Sequence, residues 1–407
     1  MKQHSNILSI PVMVAALGYF VDIYDLVLFS IVRKPSLTSL GLQGVELEQS
    51  GLWLLNIQMV GMLIGGLVWG VLGDKKGRLS VLFGSIIMYS VANILNAYVV
   101  NITQYGILRF VAGVGLAGEL GAGITLVSEI LKKEDRGWGT TIVATVGVSG
   151  AILAGILGLN FDWTTCYLVG GGLGLLLLLM RIGVFESGMY KASKEIGHKM
   201  GSLSMLFSNK ERVYTYFKCI LIGLPIWYTI GILITLSPEL GRELNIQGEI
   251  KPALSIMYCY AGVTLGDLVS GVMSQYFKSR KKVLQFFVAA TLVMVIAYFF
   301  MHGASVQQFY LLFSVLGFAA GYWAVLITTA SEQFGTNIRA TVTTSVPNFI
   351  RASLVPISLA YSYLQVIGLH KLTSALLTGI VCCIIAFIAA YKLKESYHKE
   401  LDYHESH

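Results

Sequence analysis

The feature that most constrains this chain is a succession of apolar runs, each about 20 residues long, separated by short stretches that hold most of the charge. As a helix, a run of that length crosses the ~30 Å hydrocarbon core of a bilayer. The runs do not alternate in polarity every second residue, so they do not fit the strands of a closed barrel. With 55% hydrophobic and 13% charged residues, the chain lacks the polar surface that a soluble fold of 407 residues would need. Soluble domains carry about 25% charged residues. The mean hydropathy of +0.70 agrees. An all-α integral membrane protein follows, with lipid covering the apolar exterior and every backbone polar group bonded within its own helix. The 44 glycines suit close helix approach in a medium where hydrophobicity does not drive association.

Twelve transmembrane helices are expected, at roughly 9–32, 50–72, 79–98, 105–131, 139–159 and 163–185, then 214–238, 254–277, 283–301, 309–333, 341–366 and 372–391. The one long hydrophilic connection, 186–213, falls at mid-chain. It divides a first six-helix bundle (1–185) from a second (214–391), and 392–407 is a polar tail. Orientation follows from Lys and Arg, which gather in cytoplasmic loops. With the N-terminus inside, twenty of the 29 lie in inside loops and tails and five outside, at Arg33, Lys34, Arg242, Lys251 and Lys371. Both termini are therefore expected in the cytoplasm. The net charge of +7 is this loop bias and is no sign of nucleic-acid binding. The first apolar run is long enough to span and reads as retained. Cys166, Cys219, Cys259, Cys382 and Cys383 lie inside apolar runs and read as small packing residues. The seven histidines lie in tails or loops, and no metal or other cofactor is expected.

The halves repeat. Ser128-Glu129 precedes Arg136 by the spacing at which Ser331-Glu332 precedes Arg339, and Gly70, Asp74 and Arg78 recur as Gly271, Gln275 and Arg280, both close to half the chain length. The loop Gly70-Val-Leu-Gly-Asp74-Lys-Lys-Gly77-Arg78 resembles the signature of the major facilitator superfamily, and the resemblance runs over the whole chain. It implies two pseudo-symmetric six-helix halves and secondary transport by alternating access, usually as a monomer. Arg109-Phe-Val-Ala-Gly113-Val-Gly115 through Glu119 and Ser128-Glu129, with Glu186-Ser187 after helix 6, resembles the metabolite:proton symporter and sugar porter branches, although the usual prolines near Glu186 are absent. The resemblance implies gating roles for Gly70, Asp74, Gly77, Arg78, Glu129, Arg136, Glu186, Glu332 and Arg339. Ordinary salt bridging at helix ends is the plainer reading of those charges.

Charges deep in the spans carry more weight, because each costs about 2.5–3.5 kcal/mol at a helix centre on insertion scales. Asp22, Asp25, Glu119 and Asp267 stand against Arg109 and Arg351. An excess of acids implies that one is protonated during part of the cycle. Asp25, with Arg109, resembles the acid–arginine coupling pair of proton-linked porters, and Asp22 and Glu119 join it as proton-coupling candidates. A permanent Asp25–Arg109 ion pair is the structural alternative. Arg351, three residues after Asn348, either holds a substrate carboxylate or phosphate or neutralises Asp267. Tyr24, Trp227, Tyr228, Tyr322 and Trp323 are candidates for lining the substrate path, with plain helix packing as the alternative for each, as for Tyr258.

These residues suggest a proton-coupled symporter for a small polar solute, most plausibly an organic anion, in a bacterial inner membrane. Its partners are the substrate, protons and lipid. A carrier of larger carboxylate-rich compounds such as siderophores, inward or outward, is the second transport reading. A membrane enzyme lacks a catalytic constellation here, and a receptor lacks a sizeable soluble domain.

Overall fold

The computed structural model describes residues 9–76, 78–119, 121, 123, 127, 131, 136–185 and 206–397. Helix is almost the whole of it. The first half contains α1 (Ile10–Ser39), α2 (Gly44–Lys76), α3 (Arg78–Asn96), α4 (Ile102–Leu116), α5 (Arg136–Val148), α6 (Gly150–Asn160) and α7 (Trp163–Phe185). The second contains α8 (Lys210–Ile222), α9 (Leu224–Tyr228), a π-helical turn (Thr229–Ile234), α10 (Ser237–Glu243), α11 (Pro252–Tyr276), α12 (Arg280–Phe299), α13 (Val306–Ala320), α14 (Trp323–Gln333), α15 (Thr336–Ala352), α16 (Leu354–Val366) and α17 (Lys371–Lys392). Among the described residues nine helical stretches are long and apolar enough to cross a membrane, and Val81–Asn96 and Ile102–Leu116 are shorter apolar helices.

Polarity is arranged for lipid. On α3 the exposed Ile87, Val91 and Leu95 recur every four residues and face outward, whereas Ser85, Tyr89, Asn93 and Asn96 on the opposite face are buried. On α17 Val381, Ile384, Ile385 and Ile388 are likewise exposed. Such a belt is stable only against hydrocarbon.

Helix contacts are made at glycine. A Cβ on Gly61 would strike the Phe110 carbonyl, one on Gly65 the Val114 backbone, and one on Gly113 the Gln58 carbonyl, so α2 and α4 pack backbone to backbone. The second half repeats the arrangement, with Gly262 against the Ser314 carbonyl, Gly266 against Phe318 and Gly317 against the Cys259 carbonyl, joining α11 to α13. The internal repeat is thus written in contacts as well as in loop motifs.

Several spans are broken. Between α8 and α9 the Ile226 N–H donates to the Gly223 carbonyl at 3.2 Å, leaving the Ile222 carbonyl to accept from the Tyr322 hydroxyl at 2.9 Å. Pro225 sits in the first turn of α9, where its missing N–H costs least. Tyr322 itself lies in the break between α13 and α14, where Gly321 approaches the Gly266 backbone too closely for any side chain. One correction concerns α1. The Arg33-Lys34-Pro35 stretch, expected in an outside loop, continues the helix to Ser39, with Pro35 inside it and Arg33 buried.

Candidate functional site

The buried charges fall at three levels along α1. At the middle level Arg351 Nη2 of α15 donates to Asp22 Oδ2 at 2.9 Å, joining the two halves. Both side chains are at most 1% exposed. The guanidinium also lies over the Trp323 ring, with Cζ 5.9 Å from its centroid. Asp22 Oδ1, Arg351 Nε and Nη1, and Trp323 Nε1 are buried without a hydrogen-bond partner. Asn348, one turn before Arg351, donates to the Ala117 carbonyl of the first half at 2.9 Å and packs on Gly66. Its Oδ1 has no partner. A guanidinium with two of its nitrogens unused, beside an aromatic ring and the free Trp323 indole N–H, suits a planar anion.

The second level, one turn along α1, holds Asp25. Both of its carboxyl oxygens are buried without a partner. The alternative of a permanent Asp25–Arg109 ion pair is not what the structure holds. Arg109 instead donates to the Gln58 Oε1 of α2 and stacks its guanidinium on the Phe29 ring, 4.4 Å from the centroid. The close α2–α4 approach at Gly113 brings Gln58 to Arg109, and a carboxamide oxygen within reach competes with a carboxylate on the next helix. Arg109 Nε and Nη1 remain without partners.

At the third level Arg181 donates to both oxygens of Glu119, through Nη1 at 3.2 Å and more tightly through Nη2. Gly18 of α1 lies directly against this pair. Arg181, in α7, is a further base buried inside the spans beside Arg109 and Arg351. The tally of deep charges becomes Asp22, Asp25, Glu119 and Asp267 against Arg109, Arg181 and Arg351, and the acids are still in excess. Asp267 does not meet Arg351, so the alternative in which Arg351 neutralises it is not what the structure holds. Its Oδ1 accepts the Ala324 N–H at 3.1 Å and caps α14 across the helix break, where free N–H groups and the helix dipole hold a carboxylate well.

The aromatic candidates divide. Tyr24 donates its hydroxyl to the Cys166 carbonyl, Tyr228 to Ala375 and Tyr322 to Ile222. All three hydroxyls are thereby committed to backbone. Trp227 is buried in α9, and Trp323 alone faces the central pair. Tyr258 is 42% exposed and stacked on Tyr310, away from the interior.

Of the gating candidates, Gly70 has open space around its α-carbon. Glu332 is bound by Arg280 Nη2 at 3.1 Å and by the Ser396 hydroxyl at 2.7 Å. Nearby, Glu395 accepts from the Ser279 hydroxyl and the Arg280 and Ser396 N–H groups. Burial pushes its carboxyl up, but those hydrogen bonds outweigh burial and hold it below the usual glutamate range. Gly77, Glu129, Glu186 and the side chains of Asp74, Arg78, Arg136 and Arg339 lie outside the described residues.

An ion pair the sequence did not disclose closes the end of the bundle where α1 finishes. Arg33 Nη2 donates to Glu239 Oε1 of α10 at 2.5 Å and to the Thr235 carbonyl at 3.3 Å, and the Thr235 hydroxyl donates to Ser30 at 3.0 Å. Lys371 and Glu48, at 3.0 Å, add a second bridge between the halves. Removing one partner of a buried pair costs about 3–5 kcal/mol, so Glu239→Gln is expected to open this end. A cysteine at Ser30 should then react with an impermeant maleimide at least fivefold faster than in the Glu239 parent, and an equal rate would show that the pair is no latch.

An apolar-belted helical bundle, with repeated contacts in its two halves and a charge network buried between them, is the architecture of a polytopic membrane transporter. The family model for the Major Facilitator Superfamily matches residues 15–353, and the chain belongs to that superfamily. The chain is similar to the niacin transporter of Acinetobacter baylyi (29% identical, over 39% of this chain and 36% of that protein). It is also similar to the 3-(3-hydroxyphenyl)propionate transporter of Escherichia coli (28% identical, 54% of this chain and 55% of that one). These alignments span about a third and about half of the relatives' lengths. Among solved structures, the D-xylose–proton symporter superposes with a TM-score of 0.69 at 17% identity, covering 96% of this chain and 98% of that one. At that identity the likeness concerns the fold.

Proposed function

We propose that this transporter is a proton-coupled symporter of a small organic anion. The observation that carries this reading is the buried Asp22–Arg351 pair across the halves, with guanidinium nitrogens left over. A substrate carboxylate entering between the halves takes the place of Asp22 at Arg351 through two parallel hydrogen bonds, while Trp323 and Asn348 flank it. The displaced Asp22 carboxylate is then unpaired in a dry site. Asp25, beside it without donors, is the group that carries the proton. An ionised carboxylate in that position would lack any compensation, and Arg109, with two free nitrogens, is the cation that can turn to it when the halves rock. Taking up one proton with one anion keeps the buried charge unchanged. The proton gradient then drives accumulation of an anion that the membrane potential, at about 2.3 kcal/mol per charge per 100 mV, would otherwise expel.

Support for an anion comes from the two relatives, one a niacin transporter and one a 3-(3-hydroxyphenyl)propionate transporter. In this reading the helices form twelve crossings in two halves, 1–185 and 214–391, joined by 186–213 in the cytoplasm. The tail 392–407 and the N-terminus are also cytoplasmic, and the Arg33–Glu239 end faces outward. The protein works as a monomer in a bacterial inner membrane. The gating roles of Gly70, Asp74, Gly77, Arg78, Glu129, Arg136, Glu186, Glu332 and Arg339 belong to the same proposal.

Uptake into proteoliposomes with an imposed inward proton gradient tests it, screened over aromatic and aliphatic carboxylates, phosphates, sugars, amino acids and siderophores. Gradient-driven accumulation of a carboxylate is the expected result. Accumulation that ignores the gradient would exclude symport, and accumulation of sugars alone would exclude the anion reading.

A further inference from the structure

Arg109 rests in a seat that other side chains build for it. Its Nη2 donates to Gln58 Oε1 of α2, and its guanidinium lies over the Phe29 ring of α1. All three side chains are fully buried. A guanidinium carries donors only, so it is the amide oxygen that Gln58 presents. Phe29 is held in turn. Tyr105, one turn before Arg109 on α4, meets its ring edge-on with centroids 5.5 Å apart. The Tyr105 hydroxyl is fixed by Tyr167 at 2.7 Å and by Ser36 at 3.2 Å. Gln58 is placed by backbone packing, since Gly113, one turn after Arg109, sits on the Gln58 carbonyl. A side chain at position 113 would push Gln58 away from α4.

That seat is one helical turn from Asp25. Asp25 and Phe29 are four residues apart on α1, so their side chains share a face about 5–6 Å apart. Arg109, over Phe29, lies within electrostatic reach of the Asp25 carboxyl without touching it. The other charged or titratable groups in reach are Asp22 and Tyr24 on α1, Tyr89 on α3 and Tyr167 on α7. Among these described residues Arg109 is the one cation, so its position decides whether a charge on Asp25 is compensated. A carboxylate in place of Gln58 would bind Arg109 as a buried ion pair, which is hard to part. The neutral amide oxygen holds the guanidinium without neutralising it, and leaves it free to exchange partners.

We propose that Gln58 is a positioning residue for proton coupling: it detains Arg109 away from Asp25 while the Arg33–Glu239 end is closed, and yields it to Asp25 when the proton is to be released. On release the Asp25 O–H bond breaks and the proton passes to solvent admitted as the halves rock. The carboxylate left behind takes Arg109 as its partner, so charge and atoms balance. This rests on Asp25 being the coupling site.

Infrared titration of the full-length protein in liposomes tests this without any substrate. The carboxyl C=O band that is missing from Asp25→Asn reports the proton on Asp25. Gln58→Met keeps the bulk of the side chain at the α2–α4 contact but offers Arg109 no amide oxygen, so Arg109 turns to Asp25. An opposite charge brought that close favours the ionised carboxylate by about 1–3 pH units, and the band is expected to vanish at least about one unit lower than in wild type. Gln58→Glu retains the oxygen and is expected to titrate no lower than wild type. In an Arg109→Met background, Gln58→Met is expected to move the titration no further, because the effect travels through Arg109 alone. A Gln58→Met protein that titrates like wild type, a Gln58→Glu protein that titrates as low as Gln58→Met, or a displacement that persists without Arg109 overturns the role of Gln58 and leaves the coupling site standing. If Asp25→Asn removes no carboxyl band at any pH, the coupling site falls and the role of Gln58 falls with it.

Discussion

Arg351→Gln is expected to reduce uptake at least about 100-fold, equivalent to about 2.7 kcal/mol of lost transition-state stabilisation. The guanidinium serves two partners in turn, Asp22 in the present arrangement and the substrate carboxylate when bound, and glutamine carries charge for neither. Removing it also leaves the Asp22 carboxylate buried without its 2.9 Å partner, a loss of about 3–5 kcal/mol for a broken buried pair. Lost transport could therefore reflect lost folding. The double variant Asp22→Asn/Arg351→Gln separates the two causes, since it removes both charges and leaves neither stranded. If Arg351 binds substrate, the double variant regains membrane yield and thermal stability but neither uptake nor a substrate-induced shift in unfolding temperature. Recovery of uptake along with stability would reduce Arg351 to a structural partner of Asp22 and remove the main support for an anionic substrate.

Asp25→Asn is expected to abolish accumulation against a gradient while substrate exchange continues. Asparagine has the shape of a protonated aspartate, and the site offers neither carboxyl oxygen a donor, so the substitution removes the ability to change charge without disturbing the packing. One coupled proton converts each pH unit across the membrane, about 1.36 kcal/mol, into roughly tenfold accumulation. Wild-type proteoliposomes with a two-unit inward gradient should therefore concentrate substrate about 100-fold, and the variant should only equilibrate it. If the variant accumulates substrate as wild type does, the proton is carried elsewhere. Asp22, freed whenever substrate occupies Arg351, and Asp267, with Oδ2 unpartnered, would then be the acids to test.

Much of the architecture is legible in the sequence. Runs of hydrocarbon length admit only helices, the glycines mark where helices touch, and the recurring loop motifs mark the duplication that appears as matching contacts at Gly61–Phe110 and Gly262–Ser314. That Asp22, Asp25, Glu119, Asp267, Arg109 and Arg351 would be buried was equally legible, because a charge in the middle of such a run has no route to water other than the interior of the bundle.

Which charge meets which was decided by tertiary structure alone. Asp22 and Asp25 are one turn apart and chemically identical, yet one is paired with Arg351 from the other half and the other has no partner. Arg109 and Arg181 both lie in apolar segments, yet one turns to Gln58 and Phe29 and the other to Glu119. Arg33 is expected in an outside loop, yet it is buried against Glu239 because α1 runs on through Pro35. The sequence determines the burial and the sign of a charge, since both depend on the polarity of its own segment. Ion pairing depends on separations of a few ångströms between helices far apart in the chain, set by where glycines let backbones touch, and no local pattern encodes those distances.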